Sequence, residues 1–164
     1  MIYQSMSGDA EEGKAEFSAE NGSITANQGD MYYITNTSCS IDLKNVNLTL
    51  ANGTLMTVAG NDSARGWGKS GSNGGKVVFT AEDQKLDGNI TCDNISSLDM
   101  TLKGSSEFSG TINTSGQGGT VNVTVESGSV WNLTGDSYVT AVSNNGTIVT
   151  NGYTITLADG STIS

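Results

Sequence analysis

The sequence has no histidine and contains a single arginine, Arg65. Without histidine, the chain can form neither a Ser-His-Asp or Cys-His nucleophile system nor a zinc site with imidazole ligands. Seven basic residues against seventeen acidic ones give a net charge of −10. Phosphate binding requires clustered lysine and arginine side chains, so we expect no nucleic-acid partner, and anionic membrane surfaces are disfavoured for the same reason.

Proline is absent, and aromatic residues make up only 6% of the chain. A sequence without proline suits strands that are hydrogen-bonded along both edges, because every backbone N–H is then available to the ladder. Only 35% of residues are hydrophobic, which is little for a globule with a broad core. A stack of coils tolerates this composition because its core is a narrow column. No apolar run approaches the length of a transmembrane span, so we expect no membrane insertion.

The two cysteines, Cys39 and Cys92, are too few for a zinc site and lie 53 residues apart. They form a disulfide if the fold brings them together, and otherwise remain small buried thiols. The first residues after Met1 show neither the basic region nor the long apolar run of a signal peptide. We therefore interpret residues 1–164 as a single domain excised from a longer protein.

A repeated pattern organises the centre of the chain. QKLDGNITCDNISSLDMTLKGS (84–105) is followed by SEFSGTINTSGQGGTVNVTVESG (106–128), and the two align with an offset of 22 or 23 residues. A fixed period of this size is typical of a solenoid, in which each coil buries its apolar face against its neighbours. We predict an all-β, right-handed parallel β-helix of about five to six coils, the hand following from the general crossover rule. The aligned pairs include Leu86 with Phe108, Gly88 with Gly110, Ile90 with Ile112, and Leu98, Met100 and Leu102 with Val121, Val123 and Val125.

The same frame extends in both directions along the chain. The alternation Ala15-Phe17-Ala19 predicts a strand within residues 1–21, which we interpret as the N-terminal cap, and residues 22–164 supply the coils. One predicted inward column contains Ile24, Leu48, Leu86, Phe108, Trp131 and Ile155. A second contains Ile41/Leu43, Val77/Phe79, Leu98/Met100, Val121/Val123 and Ile148. Positive-φ turns are predicted at Asn52-Gly53, Asp87-Gly88, Asn145-Gly146 and Asn151-Gly152.

A glycine-rich insertion, GNDSARGWGKSGSNGG (60–75), interrupts the period. It has six glycines and no apolar periodicity, which predicts a loop extruded from the stack, and such insertions often carry the binding face of repeat proteins. Trp67 could offer a flat face to a sugar ring, with Arg65, Lys69 and Asp62 supplying hydrogen bonds. The alternative is that Trp67 folds back over the coil wall, with Arg65 packed on it in a cation–π contact.

Three segments resemble a known group of proteins: IYQSMSGDAEEG (2–13), MYYITNTSCSIDLKNV (31–46) and SGSNGGKVVFTAEDQKLDGNI (70–90). They are similar to segments of clostridial and gut-bacterial cell-surface β-helix proteins. The coils as a whole resemble the right-handed parallel β-helices of pectate-lyase-like proteins and bacterial adhesins. The resemblance implies an extracellular, adhesin-like surface module of a bacterium that binds polysaccharide, in some cases with calcium.

Calcium is the one cofactor that the sequence leaves open. Side-chain oxygens at Asn61-Asp62, or at Glu82-Asp83 with Asp87, could contribute ligands. A calcium site needs six to eight oxygens, however, and no loop with the fixed spacing of an EF-hand is present. The alternative is that these are solvated charges at the corners of the coils.

Three functions follow from these observations. The first is a non-catalytic surface module that binds glycan through the loop and an adjoining wall, and the second is a structural spacer. The third is a lyase, since polysaccharide lyases with the resembled fold hold calcium with acidic residues and use arginine or lysine as the base. Arg65 is the only arginine, and no aspartate cluster lies beside a basic residue on the predicted strands. We therefore do not expect an enzyme.

Overall fold

A computed structural model of the chain describes residues 1–3, 13–60 and 71–164. This part of the chain forms nineteen β-strands and no helix. Within it, no helix offers the length and apolarity that crossing a membrane requires. The strands are β1 Ile2–Tyr3, β2 Gly13–Glu20, β3 Ser23–Thr25, β4 Tyr32–Thr35, β5 Thr37–Lys44, β6 Asn47–Thr49, β7 Thr54–Val58, β8 Gly75–Glu82, β9 Lys85–Asp87, β10 Asn89–Cys92, β11 Ser97–Lys103, β12 Glu107–Gly110, β13 Thr120–Val125, β14 Val130–Leu133, β15 Ser137–Val139, β16 Ala141–Asn144, β17 Thr147–Val149, β18 Ile155–Leu157 and β19 Thr162–Ile163.

The strands pair in parallel with strands one repeat away in sequence. The largest sheet has six strands in the order β2-β5-β8-β11-β13-β16, and two further sheets have four strands each, β1-β4-β7-β10 and β9-β12-β14-β17. Smaller sheets are formed by β3-β6 and β15-β18-β19. In this part of the chain, every strand pair is parallel except β18 with β19. This all-β arrangement of mostly parallel strands fits a parallel β-solenoid.

The register predicted from the central repeat is confirmed. Leu86 pairs with Phe108, and Phe108 pairs with Trp131. Leu98, Met100 and Leu102 pair with Val121, Val123 and Val125 in the six-stranded sheet, and Ile90 forms a single bridge to Ile112. These side chains are all buried. The alternation predicted for Ala15, Phe17 and Ala19 is also confirmed, as β2 has alternating half-buried and exposed side chains.

Two of the predicted inward columns end with different residues in the structure. Trp131 pairs with Ile148, 17 residues later, while Ile155 pairs with Ser137 in another sheet. Val123 is followed by Val142, so Ile148 does not belong to the six-stranded sheet. The prediction was wrong here because it kept a spacing of at least 22 residues, whereas the last repeat runs directly from β15 into β16 without an intervening loop.

Gly146 is required because a side chain would clash at this position, and not because of its backbone conformation. Gly53, Gly88, Asn151 and Gly152 have positive φ as predicted, but Asn145 and Gly146 do not. A Cβ at position 146 would lie 2.4 Å from the carbonyl oxygen of Glu126. Glycine is therefore required at Gly146 by the close approach of the neighbouring backbone, and the predicted positive-φ turn there was wrong.

The core is a continuous column closed by polar groups at its corners. Trp131 is fully buried, and its Nε1–H donates to the carbonyl oxygen of Gly110 at 3.2 Å. At one corner, the buried side chain of Gln84 accepts from Val46 N–H at 2.7 Å and donates to Val46 O at 2.6 Å. The backbone N–H and C=O of Val46 are shielded from water at this bend, and both have hydrogen-bond partners, as buried polar groups require.

Candidate functional site

The four residues predicted to form a binding loop lie outside the described residues. These residues, Asp62, Arg65, Trp67 and Lys69, all fall between 61 and 70. The structure therefore tests neither sugar binding by this loop nor the alternative, in which Trp67 packs over the coil wall. The flanks, Gly60 and residues 71–74, contain no strand, and β8 begins at Gly75, so the predicted loop ends one residue too late.

The described flanks of this segment are held by neighbouring turns. Gly60 N–H donates to the Oδ2 atom of Asp93 at 2.6 Å, and the carbonyl oxygen of Asn73 accepts from Asn36 N–H at 2.8 Å. Both flanks therefore lie at the end of the six-stranded sheet where β5 and β11 begin. The described residues on either side of 61–70 therefore lie beside this sheet.

We call the outward side of the six-stranded sheet the outer face. Its side chains form columns that run across the strands, since residues at matching register positions point to the same side. Neighbouring members are about 4.7–4.9 Å apart in the hydrogen-bonding direction. The columns are Lys14-Ser38-Lys76-Ser97-Thr120, Glu16-Ser40-Val78-Asp99-Asn122-Ala141, Ser18-Asp42-Thr80-Thr101-Thr124-Ser143 and Glu20-Lys44-Glu82-Lys103.

A depression of 420 Å³ crosses the first two columns, from β2 to β11. It forms because Ser38 and Ser40 of β5 are short, while longer side chains stand on β2 and β8 to either side. We call this depression the serine trough. The side chains that project from its strands toward solvent are Lys14, Glu16, Ser38, Ser40, Lys76, Val78, Ser97 and Asp99.

Val78 gives the serine trough an apolar patch. Its side chain is 54% exposed in the middle of β8, a position where the adjacent strands carry Ser40 and Asp99. The trough thus combines hydroxyl groups, cations, carboxylates and one exposed apolar surface. That mixture suits a ligand with many hydroxyl groups and some apolar C–H surface.

The fourth column of the outer face is an ion-pair ladder. Glu82 lies between Lys103, at 2.7 Å, and Lys44, at 2.8 Å. Its contacts with Lys103 and Lys44 lower the pKa of Glu82 from its usual 4.5 to about 2, and the contact with Glu82 raises the pKa of each lysine. A carboxylate held ionised in this way is unsuited to act as a general acid near neutral pH, where a raised pKa is needed.

The acidic residues considered for calcium do not form a common cluster. Glu82 faces its two lysines, whereas Asp83 Oδ1 accepts from the backbone N–H and the hydroxyl of Ser105, each at 3.0 Å. Across residues 1–3, 13–60 and 71–164, no group of three or more histidine, cysteine, aspartate or glutamate side chains could hold a metal ion. The alternative pair, Asn61-Asp62, lies outside these residues.

Both cysteines are buried and free, so the disulfide alternative does not hold in this structure. Cys39 lies beneath the serine trough and Cys92 at the end of β10. Burial raises the pKa of the Cys39 thiol, and burial together with the charge of Asp93 raises that of Cys92 to about 12. Both thiols are therefore poor nucleophiles, since the thiolate is the reactive form.

Sequence reasoning missed a second depression, of 380 Å³, at another corner of the molecule. It lies between residues 91–94 and 113–118, and we call it the recess. The only signal in the sequence was the run Gly116-Gln117-Gly118-Gly119, which is long for a turn between strands.

In comparisons with known proteins, no family model, curated protein or solved structure matches this chain.

Proposed function

We propose that the chain is a non-catalytic, extracellular surface module of a bacterium that binds polysaccharide along its outer face. We further propose that its strands form a right-handed parallel β-helix of about five to six coils. The six-stranded sheet supports that number with one strand for each proposed coil, and the hand rests on the general crossover rule. The bacterial surface location rests on the resemblance of the sequence to surface β-helix proteins.

The serine trough is the observation that carries the proposal. Its side chains stand in columns at the strand spacing, and the first column alternates lysine and serine, so a polymer lying across the strands meets a cation or a hydroxyl group at each step. Lys14 and Lys76 stand in one column and would suit acidic sugars, while Val78 offers apolar contact. Because the strands of this sheet are hydrogen-bonded to their neighbours, it can bind a ligand without rearranging its backbone, which keeps the cost of association low.

The proposal of a non-catalytic module is supported by the contacts of two outer-face carboxylates, Glu82 and Asp99. Glu82 is held by two lysines, and Asp99 Oδ1 accepts a hydrogen bond from Asn122 Nδ2 at 2.8 Å. Each is engaged in a contact that links neighbouring strands. A lyase would instead need a base placed beside an acidic cluster.

Two exposed valines allow a matched test of the binding face. Val78 lies in the serine trough and Val149 on β17, in a different sheet, with exposures of 54% and 37%. Wild type and the variants Val78→Glu and Val149→Glu would be compared on a polysaccharide array that includes polygalacturonate. We expect Val78→Glu to weaken binding at least tenfold, because it replaces the apolar contact with a charge that repels acidic sugars, and Val149→Glu to leave binding unchanged. Equal binding by both variants would place the site elsewhere.

The variant Trp67→Ala separates the loop from the outer face. If the loop contributes, Trp67→Ala weakens binding as well, and if the outer face suffices, it does not. Lyase activity is checked by the absorbance of unsaturated products on polygalacturonate with calcium, and we expect none. Product formation would overturn the non-catalytic assignment.

A structural spacer is the second candidate function. It is favoured by the features that stiffen the stack: the buried column through Leu86, Phe108 and Trp131, and the ion-pair ladder around Glu82. A wild-type protein that binds no polysaccharide on the array would support this candidate over glycan binding.

A further inference from the structure

The recess arises where one sheet loses its hydrogen-bond ladder. Among the residues that the structure describes, the β1-β4-β7-β10 sheet continues after β10 only through the single bridge from Ile90 to Ile112. Residues 113–119 then leave the wall before β13 begins at Thr120. The wall resumes at Ser137, whose hydroxyl accepts from Ile112 N–H at 3.1 Å. The excursion leaves a cavity, the recess, lined by Thr91, Cys92, Asp93, Asn94, Asn113, Thr114, Ser115, Gly116, Gln117 and Gly118.

Asn113 lines the recess and is 94% buried, with an exposed fraction of 6%. Its Oδ1 atom accepts from Cys92 N–H at 2.7 Å, which fixes the orientation of the amide. Its Nδ2 atom is buried and has no hydrogen-bond partner among the described residues. Buried donors without partners are rare in native proteins and require a specific explanation.

The glycine-rich rim governs access to this donor. A Cβ at position 118 would lie 2.8 Å from Asn113 Nδ2 and 2.1 Å from the carbonyl oxygen of Cys92, so the Gly118 backbone covers the amide directly. Thr114, Ser115 and Gln117 on the same segment are exposed. Access of an acceptor atom to Nδ2 requires residues 114–118 to move outward, and glycine at 116 and 118 makes that backbone adaptable.

The lining defines the chemistry of the ligand. It contains hydroxyl and amide groups but neither a lysine, an arginine nor an aromatic side chain, which disfavours an anion or a flat aromatic ring. The carboxylate of Asp93 already accepts from Gly60 N–H and Ile95 N–H. The volume of 380 Å³ is near the lower end of small-molecule sites, which span roughly 300–1,000 Å³. The recess therefore suits one neutral, hydroxyl-rich ring rather than a polymer chain.

We propose that the recess binds a single neutral sugar unit that carries an acetamido group, whose carbonyl oxygen accepts from Asn113 Nδ2. The side chain of Asn113 has only its donor left to offer, because its Oδ1 is already occupied by Cys92 N–H. An amide carbonyl is an acceptor without a proton of its own and so matches this donor better than a hydroxyl group does. The hydroxyls of Thr91, Thr114 and Ser115 surround the ring. This site is separate from the outer face and does not depend on binding there.

The test is a nuclear magnetic resonance titration of ¹⁵N-labelled protein with N-acetylglucosamine, with glucose and glycerol as comparison probes. We expect shifts at the amides of 91–94 and 113–118 and at the side-chain NH₂ of Asn113. Binding of glucose should be weaker by about tenfold, as expected for the loss of one matched hydrogen bond. Shifts absent from these residues, or equal shifts with glycerol, would overturn the proposal.

Two variants make the test specific. Ser115→Trp fills the entrance from an exposed position and should abolish the shifts, whereas Ser127→Trp, on an exposed turn elsewhere, should preserve them. Asn113→Asp keeps the acceptor for Cys92 N–H and tolerates the positive φ of 52° at this residue, but it removes the donor and should weaken binding about tenfold. Unaltered binding by Ser115→Trp overturns the assignment to the recess. Binding that persists in Val78→Glu separates this site from the outer face.

Discussion

Replacing Phe108 by alanine is the most direct test of the stacked core. Phe108 is fully buried between Leu86 and Trp131, with which it pairs on either side. Its ring stacks on that of Trp131, with centroids 5.8 Å apart and planes inclined by 27°. The substitution removes this contact together with all the apolar surface that the ring buries.

The expected loss follows from burial and from the rigidity of the surroundings. Phenylalanine-to-alanine changes in protein cores cost about 3–5 kcal/mol, of which part is due to the cavity left behind. The backbone of β12 is hydrogen-bonded to β9 and β14, so it cannot move inward to fill the space. We therefore expect the free energy of unfolding to fall by about 4 kcal/mol.

Urea denaturation followed by circular dichroism measures this loss. The midpoint should decrease while the slope with denaturant stays the same, because the surface exposed on unfolding changes little. Val78→Ala, at an exposed strand position, is the control and should change stability by no more than about 0.5 kcal/mol. A loss below about 1 kcal/mol for Phe108→Ala would mean that the ring is not enclosed by its neighbours in the stack.

Two further changes probe the polar contacts between strands. Because the pKa of Glu82 is lowered to about 2, the stability that its lysine contacts provide is present above pH 4.5 and is lost as the pH falls toward 2. The melting temperature of wild type should therefore fall more steeply across this window than that of Glu82→Gln, and high salt should reduce the difference; superimposable pH profiles would contradict this expectation. Gln84→Ala should destabilise the protein by about 1–3 kcal/mol for each group of Val46 that loses its partner, measured by urea denaturation. Unchanged stability would show that water replaces the glutamine.

Part of the candidate site could be foreseen from the sequence, and part could not. The alternation of polar residues with Val77, Phe79, Leu98 and Met100 indicated that one side of these strands would face solvent. The serine trough was not foreseen, because it requires the short side chains of β5 to lie between those of β2 and β8. That neighbourhood depends on which strand pairs with which. The residues that the sequence singled out, at 62–69, remain a prediction.

The recess shows the same limit more clearly. Asn113 was not distinguished from the many other asparagines in the sequence, because its burial and its bond to Cys92 N–H join residues 21 positions apart. The glycine-rich run beside it indicated a turn, but no local pattern indicates that a turn leaves a cavity. A donor without a partner becomes visible only when all its neighbours are placed.

The sequence by itself determined that the chain is all-β, which side chains face inward in the central repeats, and that Phe108 pairs with its counterparts Leu86 and Trp131. Periodic alternation is a local property of strands, and a constant repeat length carries it from one repeat to the next. Only the tertiary structure decided that Ile148 rather than Ile155 follows Trp131, and that Gly146 is needed for space. Both depend on loop length and on backbone contacts between repeats, where steric exclusion and hydrogen bonding act across long stretches of sequence.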